Sequence, residues 1–216
     1  MTPDFWKGRW ETNQIGFHEG KPNALLTDLW PTLHIPQGAR VFVPLCGKSL
    51  DMAWLAGEGH AVVGVELSEI AVRDFFAESG VTPSRETRDG FDISRAGSIE
   101  IWCGDFFALK PHHLAGIGAA YDRASLIAMP PELRPAYATK MLELVPRAAP
   151  MLLITLAYDQ SEMTGPPFSV PIDEVESLYG ATRTVTVLER RNALIAQSNS
   201  KVRGLSKAEN IAIRLS

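Results

Sequence analysis

The fold is decided by Val41-Phe-Val-Pro-Leu-Cys-Gly-Lys-Ser-Leu-Asp-Met-Ala-Trp-Leu-Ala56, followed by Gly59-His-Ala-Val-Val-Gly-Val-Glu-Leu-Ser68. The pattern reads as a short buried strand, a tight turn at Gly47, an amphipathic helix and a second buried strand ending in Glu66. Glu66 stands 19 residues after the turn glycine. In doubly wound α/β proteins a carboxylate at that place holds the two hydroxyls of a nucleoside ribose. The turn limits what else the ligand carries. A pyrophosphate calls for Gly-x-Gly-x-x-Gly so that backbone N–H groups can approach it closely, and only Gly47 is present. Gly47-Lys48-Ser49 suggests a triphosphate loop, but the glycine required five residues earlier is Phe42. A cofactor with a ribose and no phosphate remains, and S-adenosylmethionine is the common one.

Outward from this unit, strand-like segments fall at 40–45, 61–66, 98–103, 117–122, 150–157, 183–190 and 209–215. Helical patterns fall at 49–58, 68–79, 131–145 and 172–179. Ser68 suits a helix cap, Gly80 a helix end and Pro131 a first helical turn. The alternation predicts an α/β fold with a mostly parallel seven-stranded sheet, helices on both faces, and the last two strands as an antiparallel edge. The run 91–102 also reads as a hairpin turning at Ala96-Gly97, its first half an insertion beside the sheet. Before the first core strand, 3–10 and 22–30 look helical and aromatic-rich. The expectation is one domain over 1–216, with 1–35 as a lid over the strand ends and 36–216 as the core. The segment after Asn192 is hard to place.

Composition agrees. A chain of 216 residues, 45% of them apolar, suits one α/β domain with a continuous core. A net charge of −4 with scattered lysines and arginines offers nucleic acid no basic stripe. The longest apolar run, Met151 to Tyr158, is far too short to span a bilayer, and the N-terminus has no signal-peptide pattern. Cys46 and Cys103 cannot form a disulfide framework and read as reduced, small buried residues in a cytoplasmic protein. Among the histidines, 18, 60, 112 and 113 show no metal-ligand spacing, and the adjacent pair is expected to point apart.

Pro44-Leu-Cys-Gly-Lys-Ser49, Val63-Gly-Val-Glu-Leu-Ser-Glu69, Tyr121-Asp-Arg-Ala124 and Gly165-Pro-Pro-Phe-Ser-Val-Pro171 occur in this order, with Trp6-Lys-Gly-Arg-Trp10 and Gly16-Phe-His18 before them. Together these blocks resemble the thiopurine S-methyltransferase family, most closely its bacterial members, over roughly residues 5–190. The resemblance implies the methyltransferase fold and methyl transfer from S-adenosylmethionine to aromatic or heterocyclic thiols such as 6-mercaptopurine, with selenium or tellurium species also plausible acceptors. A monomer acting on a small-molecule thiol is expected, with no nucleic-acid or membrane partner on the charge and hydropathy pattern above.

By the same resemblance Glu66 binds the ribose, while Leu45 and Gly47 turn backbone groups toward the amino-acid end of the cofactor. Asp105 and Phe106 meet the adenine, with helix capping the alternative for Asp105. Trp10 covers the cofactor and Phe17 the acceptor ring; a packing stripe formed by Trp6 and Trp10 is the plainer reading. Arg123 lies by donor and acceptor, where it favours thiolate over thiol. Its plainer alternative is a salt bridge to Asp122 or Glu132. Pro167 and Phe168 wall the acceptor pocket or only shape a turn, and Arg190 and Arg191 are open between substrate and supporting roles. Two alternatives remain: a nicotinamide oxidoreductase, which the missing glycines disfavour, and a non-catalytic protein on the same fold, which would not need Glu66, Arg123 and the aromatic lid together.

Overall fold

The structure is a computed structural model that describes residues 3–194 and 204–216. The expectation for the segment after Asn192 therefore falls partly outside the described residues.

One nine-stranded sheet runs in the order β3-β4-β5-β2-β1-β6-β7-β9-β8. In chain order the strands are β1 (Arg40–Val43), β2 (Ala61–Glu66), β3 (Ser84–Arg88), β4 (Phe91–Ala96), β5 (Ile99–Cys103), β6 (Ile117–Arg123), β7 (Met151–Tyr158), β8 (Val185–Asn192) and β9 (Ala208–Leu215). The helices are α1 (Pro3–Glu11), α2 (Ala24–Leu29), α3 (Leu50–Gly57), α4 (Glu69–Glu78), α5 (Arg134–Leu144) and α6 (Ile172–Tyr179). The seven expected strands are all present. The two additional ones, β3 and β4, form antiparallel ladders beyond β5, so the 91–102 hairpin joins the sheet itself. Its β3 edge, Ser-Arg-Glu-Thr-Arg, is exposed throughout. A charged edge of this kind discourages pairing with another chain. Only β4 and β9 run against the other strands. The segment from Pro131 begins as a short 3-10 turn, and α5 proper starts at Arg134.

The central strands are buried on both faces, which is why β2 reads Ala-Val-Val-Gly-Val-Glu without alternation. Successive side chains still divide between two cores. Val41 and Val43 pack with α2, α3 and α4, beside Leu26, Met52, Phe75 and Tyr121. Phe42 packs on the other side with Tyr137 and Met141 of α5 and Tyr179 of α6. Gly64 is required in β2 because a Cβ there would meet Cys46 Sγ at 2.7 Å. Cys46 is buried and Cys103 is partly exposed, and both are free thiols. Burial, followed by the Glu66 carboxylate, pushes Cys103 up to about 12 and raises Cys46 well above its usual value. Neither is a thiolate at neutral pH. Among the described residues no helix is long and apolar enough to cross a membrane.

Candidate active site

The carboxyl ends of the parallel strands and the N-terminal segment enclose a cavity of about 380 Å3. This is the edge at which open α/β sheets bind ligands. Trp10, Phe17, Leu45, Gly47, Glu66, Asp105, Phe106, Arg123 and Pro167 all line it.

The β1–α3 turn has unusual backbone geometry. Leu45 has φ +43° and Gly47 φ +54°. A side chain at Gly47 would be strained and would meet the Trp10 indole at 3.3 Å. Ser49 caps α3 by accepting from Asp51 N. Glu66, 6% exposed, accepts from Gly47 N through Oε2 and from Ser68 N through Oε1, each at 2.8 Å. A carboxylate has about four acceptor positions. Two remain, one per oxygen, which fits a pair of vicinal hydroxyls. Burial raises the Glu66 carboxyl above its usual range, and the N–H groups of Ser68, Gly47 and Leu67 oppose that rise.

On the adjacent loop Asp105 accepts from Phe107 N at 2.9 Å, so the capping alternative is realised while Asp105 still lines the cavity. Phe106 is buried and its ring stacks on Tyr137, which leaves its backbone as the part able to meet a ligand. The N-terminal segment carries an aromatic cluster: Phe17 meets Trp6 and Trp10 edge-on, at 5.9 and 5.6 Å. Packing and lining are thus both properties of Trp10.

Arg123 closes the opposite side. Its Nε donates to Asp51 Oδ2 at 2.7 Å and its Nη2 to Ser49 Oγ at 3.2 Å, while Nη1 lies 3.6 Å from Glu19. In place of the alternative salt bridge to Asp122 or Glu132, the carboxylate actually paired is Asp51. Neighbouring strand residues point to opposite faces, so Tyr121 and Arg123 share one face and Asp122 the other. Burial works against the Arg123 charge, but Asp51, Tyr121 and Glu19 outweigh it and hold the guanidinium above its ordinary value. It stays a cation and cannot act as a base.

Phe168 does not line the cavity. Its ring lies against Gly165, where a Cβ would meet it at 2.5 Å, and its N–H donates to Ile127 O at 2.7 Å, so it braces the 165–168 turn. Pro167 remains in the wall, its carbonyl accepting from Tyr158 at 2.7 Å. Arg190 pairs with Glu209, and Arg191 with Glu189 and Asp28; neither lines the cavity. His112 and His113 do not point apart. Their ring centroids are 4.1 Å apart, and with Asp89 their ligand atoms lie within 4.8 Å of one another. However, His113 Nδ1 accepts from Lys110 N at 3.1 Å, which puts the proton on Nε2, 3.2 Å from Asp89, and leaves no lone pair there for an ion.

Asp51, Ser49, Glu19 and His18 are cavity residues that the sequence reading missed. Asp51 carried one signal, a carboxylate in the first turn of a short apolar helix. Burial, then Lys48, holds His18 below its usual pKa, with Glu78 opposing.

The whole sequence, residues 1–216, matches the family described as Thiopurine S-methyltransferase (TPMT). The chain belongs to the thiopurine S-methyltransferase family. It is 52% identical over 194 residues to the thiopurine S-methyltransferase of Pseudomonas fluorescens (strain Pf0-1), covering 90% of this chain and 89% of the relative. With that of Azotobacter vinelandii it shares 47% over 215 residues, covering 100% and 99%. Among solved structures, the Burkholderia thailandensis 1,6-didemethyltoxoflavin-N1-methyltransferase, which holds S-adenosylhomocysteine, superposes with a TM-score of 0.65 at 14% identity, covering 99% of this chain and 87% of that one. A SAM-dependent methyltransferase from Anabaena variabilis gives 0.65 at 15%, covering 99% and 95%. The fold of this family member is thus the SAM-dependent methyltransferase fold.

Proposed function

We propose that this S-adenosylmethionine-dependent methyltransferase methylates the sulfur of aromatic or heterocyclic thiols, with 6-mercaptopurine as test acceptor and S-adenosylhomocysteine as product. Selenium and tellurium species are further acceptors of the same soft character. The observation that carries this reading is the pairing, across one cavity, of a carboxylate with one open acceptor position per oxygen and a fixed guanidinium.

In this reading Glu66 takes the two ribose hydroxyls. Leu45 and Gly47 present backbone groups to the amino-acid end, and Asp105 with the Phe106 N–H meets the adenine. Trp10 covers the cofactor, and Phe17 and Pro167 hold the acceptor ring. The cofactor supplies an electrophilic methyl on a sulfonium. The acceptor's sulfur forms the new S–C bond as the donor's C–S bond breaks, and the thiol proton leaves to solvent. Orientation and exclusion of water supply most of the acceleration. Arg123 lowers the cost of the thiolate by its charge. As one domain with 1–35 closing over it, the protein works as a cytoplasmic monomer on small molecules.

The oxidoreductase alternative is opposed by Trp10, which packs over Gly47 where a pyrophosphate would have to approach. Calorimetric titration tests the choice: S-adenosylhomocysteine binds and NADH does not. Binding of NADH alone, or no methylation of any aromatic thiol by the purified protein, would reject the proposal.

A further inference from the structure

We propose that Asp51 is the positioning residue of the methyl-transfer site, holding the Arg123 guanidinium by one edge and tying that edge to the N-terminal segment. The inference rests on the reading of Arg123 as the group that favours the acceptor's thiolate.

Asp51 is 1% exposed and sits in the first turn of α3. Its Oδ2 accepts from Arg123 Nε at 2.7 Å and from Tyr121 OH at 2.9 Å. Its Oδ1 accepts from Asn23 N, the cap of α2, at 2.7 Å. One carboxylate thus joins α3, the end of β6 and the segment leading from the lid. Ser49, which caps α3, fixes a second arm of the guanidinium at Nη2. Nη1 is the arm that makes no hydrogen bond to the described residues; its nearest carboxylate, Glu19, stands at 3.6 Å. Two arms are held so that the third is presented to the cavity. Arginine otherwise loses about 2 kcal/mol of rotamer freedom on being fixed, so a site without Asp51 would leave that cost to the acceptor.

The arrangement requires a carboxylate. In Asp51→Asn the amide nitrogen would oppose either the Nε–H of Arg123 or the N–H of Asn23, and no orientation accepts all three donors. A buried charge left without its partner is the costly outcome, so removing both charges should disturb the fold less than removing one.

The test is a double-mutant cycle of Asp51→Asn and Arg123→Ala, read in steady-state kinetics with 6-mercaptopurine across pH, S-adenosylhomocysteine calorimetry and thermal melts. Asp51→Asn is expected to lower kcat about 10- to 100-fold. It should leave S-adenosylhomocysteine affinity within about 2-fold, and the loss should shrink as pH rises and the acceptor ionises in solution. The double variant should be no slower than Arg123→Ala alone. Additive losses, weaker cofactor binding that tracks a lower Tm, or unchanged kcat in Asp51→Asn beside an impaired Arg123→Ala would each overturn the role. If Arg123→Ala itself keeps full activity, the reading of Arg123 has failed instead. Should Asp51→Asn not fold, added guanidinium chloride decides: it restores activity to Arg123→Ala and not to the double variant, and equal rescue of both would overturn the proposal.

Discussion

Two aspartates, each 1% exposed or less, flank the end of β6 on opposite faces and have been treated differently by the fold. Asp51 faces the N-terminal segment, where a guanidinium, a phenol and a backbone N–H converge on it. Asp122 faces α5 and α6 and has a neutral partner, Tyr137, at 2.8 Å. Burial pushes Asp122 up to about 6, opposed chiefly by the Tyr137 hydroxyl on Oδ2, while Oδ1 has no hydrogen-bond partner among the described residues. The difference follows from strand alternation: one residue of offset separates a carboxylate paired with a cation beside the cavity from one inside the core with only a hydroxyl partner.

The severest way to break this contrast is to remove residues 1–18 from the lid face. The sheet should persist by circular dichroism, because its strands begin at Arg40. Methyl transfer should be lost, because Trp10 and Phe17 no longer exclude water. Retained transfer would mean that the lid face needs no closure.

Next in size, Glu66→Ala should weaken S-adenosylhomocysteine binding by about 2–4 kcal/mol, with Glu66→Gln less affected. Because burial raises the Glu66 carboxyl above 4.5, wild-type affinity should fade as pH falls through that raised value, and Glu66→Gln should lose this dependence. Calorimetry at several pH values reads both; a flat wild-type profile would sink the ribose assignment.

On the opposite face the sign is reversed, since stability rather than binding is at stake. Asp122 has a folded pKa above its ordinary 3.8, so its contribution is present at low pH and is lost as pH rises through about 6. Asp122→Asn should therefore raise stability at neutral pH by about 1–3 kcal/mol and flatten the dependence of Tm on pH between those values, while transfer is preserved. A destabilised variant would show that the core needs the charge after all. The smallest effect belongs to Arg191→Ala. Its pairs with Asp28 and Glu189 are partly exposed surface pairs, so about 0–1 kcal/mol is expected, and a loss of transfer would bring Arg191 into the site.

The strand–turn–helix–strand unit at 41–68 was legible because each step has a local cause: continuous apolar strands, a positive-φ glycine and a serine cap. Glu66 and Gly47 were legible for the same reason. Asp51 was not, because its partners Asn23, Tyr121 and Arg123 lie 28, 70 and 72 residues away, and no local pattern pairs them. The alternative of a salt bridge from Arg123 to Asp122 or Glu132 weighed nearness in sequence, and strand alternation puts Asp122 on the other face. Phe168 was open between a pocket wall and a shaper of its turn, and its contacts with Gly165 and Ile127 give it the second place. The position of 84–88 was obscured because an exposed, charged edge strand has no apolar face to announce it.

β9 enters the sheet between β7 and β8, pairing with eight residues of β7 and seven of β8. Synthesis delivers β7 and β8 first, so these two remain apart until the segment 208–215 leaves the ribosome and wedges between them. Until then the apolar β7 ends the ordered sheet as an unpaired edge. Such edges invite aggregation and chaperone capture, and closing a sheet through distant contacts is slow. Closure of this side of the sheet is in that sense a late event in folding, governed by the arrival of one strand.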